Sequence, residues 1–183
     1  MAAQPRLITA EEFAALPRAG LRLELIRGEI IAMPPAFVDH GGVAGKLHIL
    51  LGRYVLDHHL GRVYSAETGF LITRNPDSIL APDIAFISSE RLTPELTAPR
   101  WGVLVPDLVV EVVSSGDRPT RVAEKTPLWL DAGVRLLWIV YPPRQSIEVH
   151  RSGQVPITLT SNDTLAGEDV VPGFSVPIIE IFT

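Results

Sequence analysis

Residues 106–113 read PDLVVEVV. Successive side chains of a strand point to opposite faces. Leu108, Val110 and Val112 therefore share one face, and Val109, Glu111 and Val113 share the other. Both faces are apolar apart from Glu111, which is how a strand covered on both sides reads. A strand of this kind demands a layered fold with helices over a sheet. An unpaired carboxylate inside it costs several kcal/mol, against a whole-fold stability of only about 5–15 kcal/mol. Glu111 must have a compensating partner, sit at a mouth reached by water, or be protonated. The first two are features of a site. The bland alternative is a Glu at the strand's end, reaching solvent or a structural Arg.

The remaining elements follow from pattern and punctuation. Thr9-Ala10-Glu11-Glu12 has capping-box spacing and predicts a short helix through about Leu16. LRLELI (21–26), a turn at Arg27-Gly28 and EIIAM (29–33) predict a hairpin. A helix from about Asp39 to His59 carries an apolar stripe of Val43, Leu47, Leu50, Leu51, Tyr54 and Val55, with Gly61 as its stop. Strands follow at about 62–66 and 69–73, a turn at Asn75-Pro76-Asp77, and a strand DIAFI (83–87). A long connection, 89–106, leads into the opening strand. The loop SSGDR then precedes a helix from about Pro119 to Ala132, stopped by Gly133. VRLLWIVY (134–141) and a meander of short strands (146–151, 155–160) complete the chain. The expected class is α/β (α+β): a mixed central sheet flanked by helices, with an added N-terminal hairpin and C-terminal strands, as a single domain spanning 1–183.

Composition narrows function. The chain has a net charge of −5, which does not favour a general nucleic-acid binder but leaves room for local basic patches. No apolar run approaches the length of a membrane span, and residues 1–13 lack a signal-peptide core. The expectation is a cytoplasmic protein with no membrane partner. Cysteine is absent, so disulfides and thiolate metal sites are excluded. Of the 16 basic residues only Lys46 and Lys125 are lysine. A chain that writes Arg where a generic cation suffices makes each Lys a question.

Antiparallel pairing of DIAFI with DLVVEVV brings the start of one beside the end of the other, so Asp83 and Glu111 meet at one sheet edge. Two nearby carboxylates repel unless a cation lies between them, and Mg²⁺ is commonly held by one or two carboxylates plus waters. On the following helix, Val122, Lys125, Trp129 and Ala132 fall on one stripe. Lys125 either reaches the Asp83–Glu111 edge or buries its stem and snorkels to water. Pro127 either kinks this helix or, with Thr126, starts a shorter one beyond Lys125. His40 either lines the site or caps the long helix. Glu67, Asp77, His58 and His59 read as solvated.

Ala81-Pro82-Asp83, Val110-Glu111-Val112 and Lys125 resemble the PD-(D/E)xK nuclease core, in the variant whose lysine has moved from the strand to the next helix. The usual lysine position holds Val113. More narrowly, LELIRGEI (23–30), His40, APDIAFI (81–87), PDLVVEVVSS (106–115), EKTPLWLDAGVRLLWIVYP (124–142) and VPGFSVPIIEIF (171–182) resemble the Uma family of restriction-type endonucleases. Arg121, Trp129 and Tyr141 depart from that family's pattern. The resemblance implies a restriction-endonuclease-like core, Mg²⁺ or Mn²⁺ held by Asp83 and Glu111, Lys125 assisting a water nucleophile, and Glu24 as an accessory acid. It implies DNA as substrate, and a homodimer is expected because two symmetric sites cut both strands most simply. The alternative is a nuclease-fold protein without strong cleavage, acting as a binding or regulatory module.

Overall fold

The computed structural model describes residues 6–17, 20–93, 103–114 and 119–183, with the side chains of 119–121 excepted. Its elements are α1 (Ala10–Ala14), β1 (Arg22–Ile26), β2 (Glu29–Met33), α2 (Val38–Asp57), β3 (Gly61–Ser65), β4 (Phe70–Thr73), β5 (Ser78–Leu80) and β6 (Ile84–Ser88), followed by β7 (Leu108–Val112), α3 (Pro119–Ala132), β8 (Leu136–Tyr141), β9 (Ser146–His150), β10 (Ile157–Leu159), β11 (Thr164–Ala166), β12 (Ser175–Pro177) and α4 (Ile178–Phe182). No helix among the described residues is long and apolar enough to cross a membrane.

Six strands form the central sheet in the order β10-β9-β8-β7-β6-β3. β7 and β8 are parallel neighbours joined through α3, and every other adjacent pair is antiparallel. Alternation along the strands makes two apolar faces. Ile84, Phe86, Leu108 and Val110 pack with Leu47, Leu51 and Val55 of α2. Ala85, Ile87, Val109 and Leu137 pack with Leu128 and Trp129 of α3. This double cover is the reason β7 is apolar on both sides. Burying Leu47 or Leu51, each fully enclosed, contributes about 1.5–3 kcal/mol.

The β1–β2 hairpin forms as expected, but it belongs to a second sheet, ordered β2-β1-β5-β4. One face of that sheet holds α1 through Ala10, Phe13, Leu25 and Ile79. β5 is only three residues long, too short for alternation to announce it in the sequence. β9 and β10 extend the central sheet, whereas β11 and β12 form a separate two-stranded pair. That pair and α4 pack over the α2 face through Leu165, Val176 and Ile178.

Several local expectations need correction. α2 ends at Asp57, before the predicted stop. His59 already turns the chain with φ 54°, and Gly61 instead opens β3, where an added Cβ would lie 2.1 Å from the Ile87 carbonyl oxygen. α3 is continuous through Pro127, so the shorter-helix alternative is excluded and Lys125 is helical. The Thr126 hydroxyl bonds the Val122 carbonyl at 2.8 Å just before that proline. Asp77 is buried rather than solvated, accepting from Ala10 N at 2.7 Å and Arg74 at 2.9 Å. The capping box of α1 is present with both reciprocal bonds. Residues 94–102 of the long connection and 115–118 of the SSGDR loop lie outside the described residues, as does the side chain of Arg121.

Candidate active site

The β6–β7 register pairs Ile84 with Val110, which sets Asp83 directly opposite Glu111. Asp83 N donates to Val110 O at 3.1 Å, just beyond the last paired residue of β6. Asp83 sits at the mouth of the strand pair, within reach of α2, and Glu111 shares the α3-covered face with Val109. Lys125, one helical turn before Trp129, points into that layer and is buried. Its Nζ lies 2.8 Å from Glu111 Oε1 and 3.0 Å from Glu24 Oε1. Trp129 Nε1 also donates to Glu111 Oε1, at 2.9 Å. The carboxylate among the valines is therefore compensated by an ammonium and an indole N–H.

Glu24 arrives from β1. It is buried, its Oε1 accepts from Ala81 N at 3.0 Å, and its Oε2 has no hydrogen-bond partner among the described residues. His40 arrives from the first turn of α2 and places Nε2 at 3.1 Å from Asp83 Oδ2. That oxygen also accepts from Val112 N at 2.8 Å. Arg22, two residues before Glu24 on the same face of β1, holds its guanidinium 3.5 Å from Asp83 Oδ1 and bonds the Ala81 carbonyl at 3.2 Å. All five residues singled out from the sequence, Glu24, His40, Asp83, Glu111 and Lys125, are thus brought together.

The environment pushes the two central carboxyls apart. Burial raises the Asp83 carboxyl, but the His40 hydrogen bond and charge, the Val112 N–H and Arg22 outweigh it and hold it below its ordinary value. Burial pushes Glu111 up to about 7; Lys125 opposes the rise, and Asp83 and Glu24 add to it. Burial alone would pull Lys125 down, but Glu111 and Glu24 together raise it, so it remains an ammonium. A separation of this kind between neighbouring titratable groups is typical of catalytic sites.

A cavity of about 220 Å³ opens onto this cluster, lined by Arg22, His40, Asp83, Glu111, Ser114 and Lys125 among others. Three carboxylates, Glu24, Asp83 and Glu111, meet the cations of Lys125 and Arg22 and the imidazole of His40 there. No group of three or more Asp, Glu or His side chains forms a ready metal cage among the described residues. Two carboxylates beside a water-accessible cavity do suit Mg²⁺, which keeps several waters and needs few protein ligands. The donor set is hard oxygen throughout, which fits Mg²⁺ or Mn²⁺ better than a soft metal. His58 and His59 are exposed, and His58 Nδ1 bonds the Tyr54 carbonyl at 2.9 Å.

The sequence pattern did not flag Arg22, nor Trp129 as a hydrogen-bond donor. For Arg22 a signal existed: Arg22 and Glu24 alternate with Leu21, Leu23 and Leu25, which puts two charges on one strand face.

Among solved structures, one from Anabaena variabilis ATCC 29413, described as "a putative nuclease belonging to DUF820", matches with a TM-score of 0.82 at 21% identity over 96% of this chain and 97% of that chain. At that identity the likeness shows the fold, and it agrees with the restriction-endonuclease-like architecture expected from the sequence. No curated protein matches the chain. Residues 10–179 match the Uma2 family, described as "Putative restriction endonuclease", and the chain belongs to that family.

Proposed function

We propose that this protein is a metal-dependent nuclease hydrolysing phosphodiester bonds of DNA, with Asp83, Glu111 and Lys125 at its centre. The observation that carries the proposal is the opposition of Asp83 and Glu111 at the open cavity, with Lys125 salt-bridged to Glu111 beside them. Asp83 and Glu111 would hold Mg²⁺ or Mn²⁺. When bound, the ion would supply stabilisation of charge developing on the phosphoryl oxygens and acidification of a water.

The chain's own residues have distinct parts. His40 and Val112 N fix the Asp83 carboxylate and keep it ionised. Trp129 orients Glu111. Glu24 anchors the Lys125 ammonium through a second ion pair. Lys125 and Arg22 place two positive charges beside the cavity, where a phosphate would be attracted and its transition-state charge stabilised.

The second reading, a nuclease-fold binding or regulatory protein, draws on the net charge of −5 and on the buried ion pairs that already satisfy Lys125. One assay separates the two. Supercoiled plasmid, linear duplex and single strands are incubated with Mg²⁺, Mn²⁺ or EDTA and the wild type or Glu111→Gln. Metal-dependent cutting that is lost in the variant supports the nuclease. Intact DNA in every lane supports the binding protein. A symmetric dimer is the proposed assembly, and a monomer by light scattering at roughly tens of micromolar would count against it.

A further inference from the structure

The chain from Met33 to Val38 reads MPPAFV, six consecutive apolar residues. Five of them, Pro34 to Val38, are exposed, with Phe37 at 58% and Val38 at 93%. A run of this kind on a surface is a liability unless it contacts something. Its place is specific: it links β2 to α2 and forms a lip between two cavities. One is the catalytic cavity. The other, about 500 Å³, is lined by Leu21, Arg22, Met33, Pro35, Glu67 and Ala81 among others. The two share Arg22 and the stretch Met33 to Ala36, so they are adjoining parts of one depression. Arg22 pairs directly with Met33 across the β1–β2 ladder, which sets a cation beside the apolar lip. The buried Nε of Arg22 has no hydrogen-bond partner among the described residues.

We infer that this depression is a subsite for one unpaired nucleotide of the substrate, its phosphate beside Arg22 and its base stacked on the lip at Phe37 and Pro35. The inference rests on the nuclease reading and adds the class of substrate: DNA with a single-stranded or splayed nucleotide at the site. Size supports it, since a concave cavity of this volume takes a small ligand but not the width of a duplex. Chemistry supports it, because every base has a π-face, and stacking on aromatic side chains is how single strands are held without sequence preference. Charge supports it as well. A chain with net charge −5 has little capacity for gripping a long phosphate backbone, so local contacts must supply the affinity. Glu67 gives the larger cavity a carboxylate, which disfavours a second phosphate there and leaves Arg22 as the phosphate end.

The test is fluorescence anisotropy in EDTA and in Mg²⁺, using a short labelled single strand and the blunt duplex of the same sequence. The wild type should bind the single strand more tightly. Phe37→Ala should weaken that binding by roughly 5- to 150-fold, the range for loss of one stacked base, and leave the duplex unaffected. Ala36→Trp, which fills the depression, should act in the same direction. Equal wild-type affinity for the two DNAs, or unchanged single-strand affinity in both variants, overturns the inference. So does a Phe37→Ala protein that changes oligomeric state without changing DNA affinity, since the lip would then be a contact between copies. Wild-type protein that binds single strands at this lip yet cuts nothing would instead remove the nuclease reading and leave the subsite standing.

Discussion

Lys125 Nζ lies 2.8 Å from Glu111 Oε1, and the two side chains expose only 6% and 13% of their surface. Breaking such a pair by removing one partner strands a buried charge and costs roughly 3–5 kcal/mol. Lys125→Ala is therefore expected to destabilise the fold by about that much, read as a lowered urea midpoint at neutral pH with an unchanged m value. The family pattern has this lysine assisting a water. Glu111 and Glu24 outweigh burial and raise Lys125 above its ordinary value, which suits a part as a positive charge beside that water. Lys125→Arg should then recover part of the stability, while cleavage need not follow, because a planar guanidinium cannot occupy the same point between Glu24 and Glu111. A Lys125→Ala protein as stable as wild type would show that the pair carries no structural weight.

Glu111 sets a pH dependence of stability. Its carboxyl rises from 4.5 to about 7 in the fold, chiefly through burial. Between those values the folded state binds the proton more tightly than the unfolded state, so stability falls as pH rises through the window. The shift corresponds to a loss on the order of 3 kcal/mol across it. Asp83 moves the opposite way, and its contribution is lost only as pH falls below the ordinary carboxylate range. Glu111 therefore contributes a loss of stability across the window from 4.5 to about 7. Subtracting the Glu111→Gln stability curve from the wild-type curve should leave a negative slope confined there. A flat difference would contradict the burial of this carboxylate.

What the sequence made legible were features carried by period and register. Apolar residues on both faces of β7 required cover on both sides, and antiparallel pairing then set Asp83 against Glu111. The stripe Val122, Lys125, Trp129 turned the lysine inward. What stayed hidden depended on a second sheet that no single segment encodes. Glu24 reaches Lys125 only because β1 pairs with β5 and docks beside the central sheet. The choice for His40 between lining the site and capping α2 could not be made without knowing where Asp83 ends up. Asp77 looked like a turn residue, and it is one, but its carboxylate also holds a helix start far away in the chain.

That helix start gives a control. Asp77 accepts from Ala10 N at 2.7 Å at the head of α1, from Arg74 at 2.9 Å and from Asn75 N at 3.3 Å. Asp77→Ala leaves a buried N–H unpaired and is expected to cost about 1–3 kcal/mol. Asp77 shares no hydrogen bond with Glu24, His40, Asp83, Glu111 or Lys125. Metal-dependent cleavage per folded molecule should therefore be unchanged below the variant's melting range. If activity fell along with stability at temperatures where the variant is fully folded, the two sheets would have to be coupled more tightly than their contacts indicate.

The last expectation joins metal and proton. If Asp83 and Glu111 hold Mg²⁺ or Mn²⁺, the ion stabilises the folded state by mass action, about 2.7 kcal/mol at a hundredfold excess over Kd. Asp83 is already ionised, whereas Glu111 near neutrality must give up a proton for a cation to take its place. The metal-induced rise in Tm should thus be full at about pH 8, a unit above the Glu111 value, and shrink as pH falls through 7. Asp83→Asn should remove the rise at every pH. In Glu111→Gln any residual rise should lose its pH dependence over that window, because the competing proton is gone. Thermal melts of the three proteins with and without millimolar metal decide it. A wild-type Tm indifferent to both metals at pH 8 would mean that the opposed carboxylates are balanced by Lys125, Arg22 and His40 alone and hold no ion.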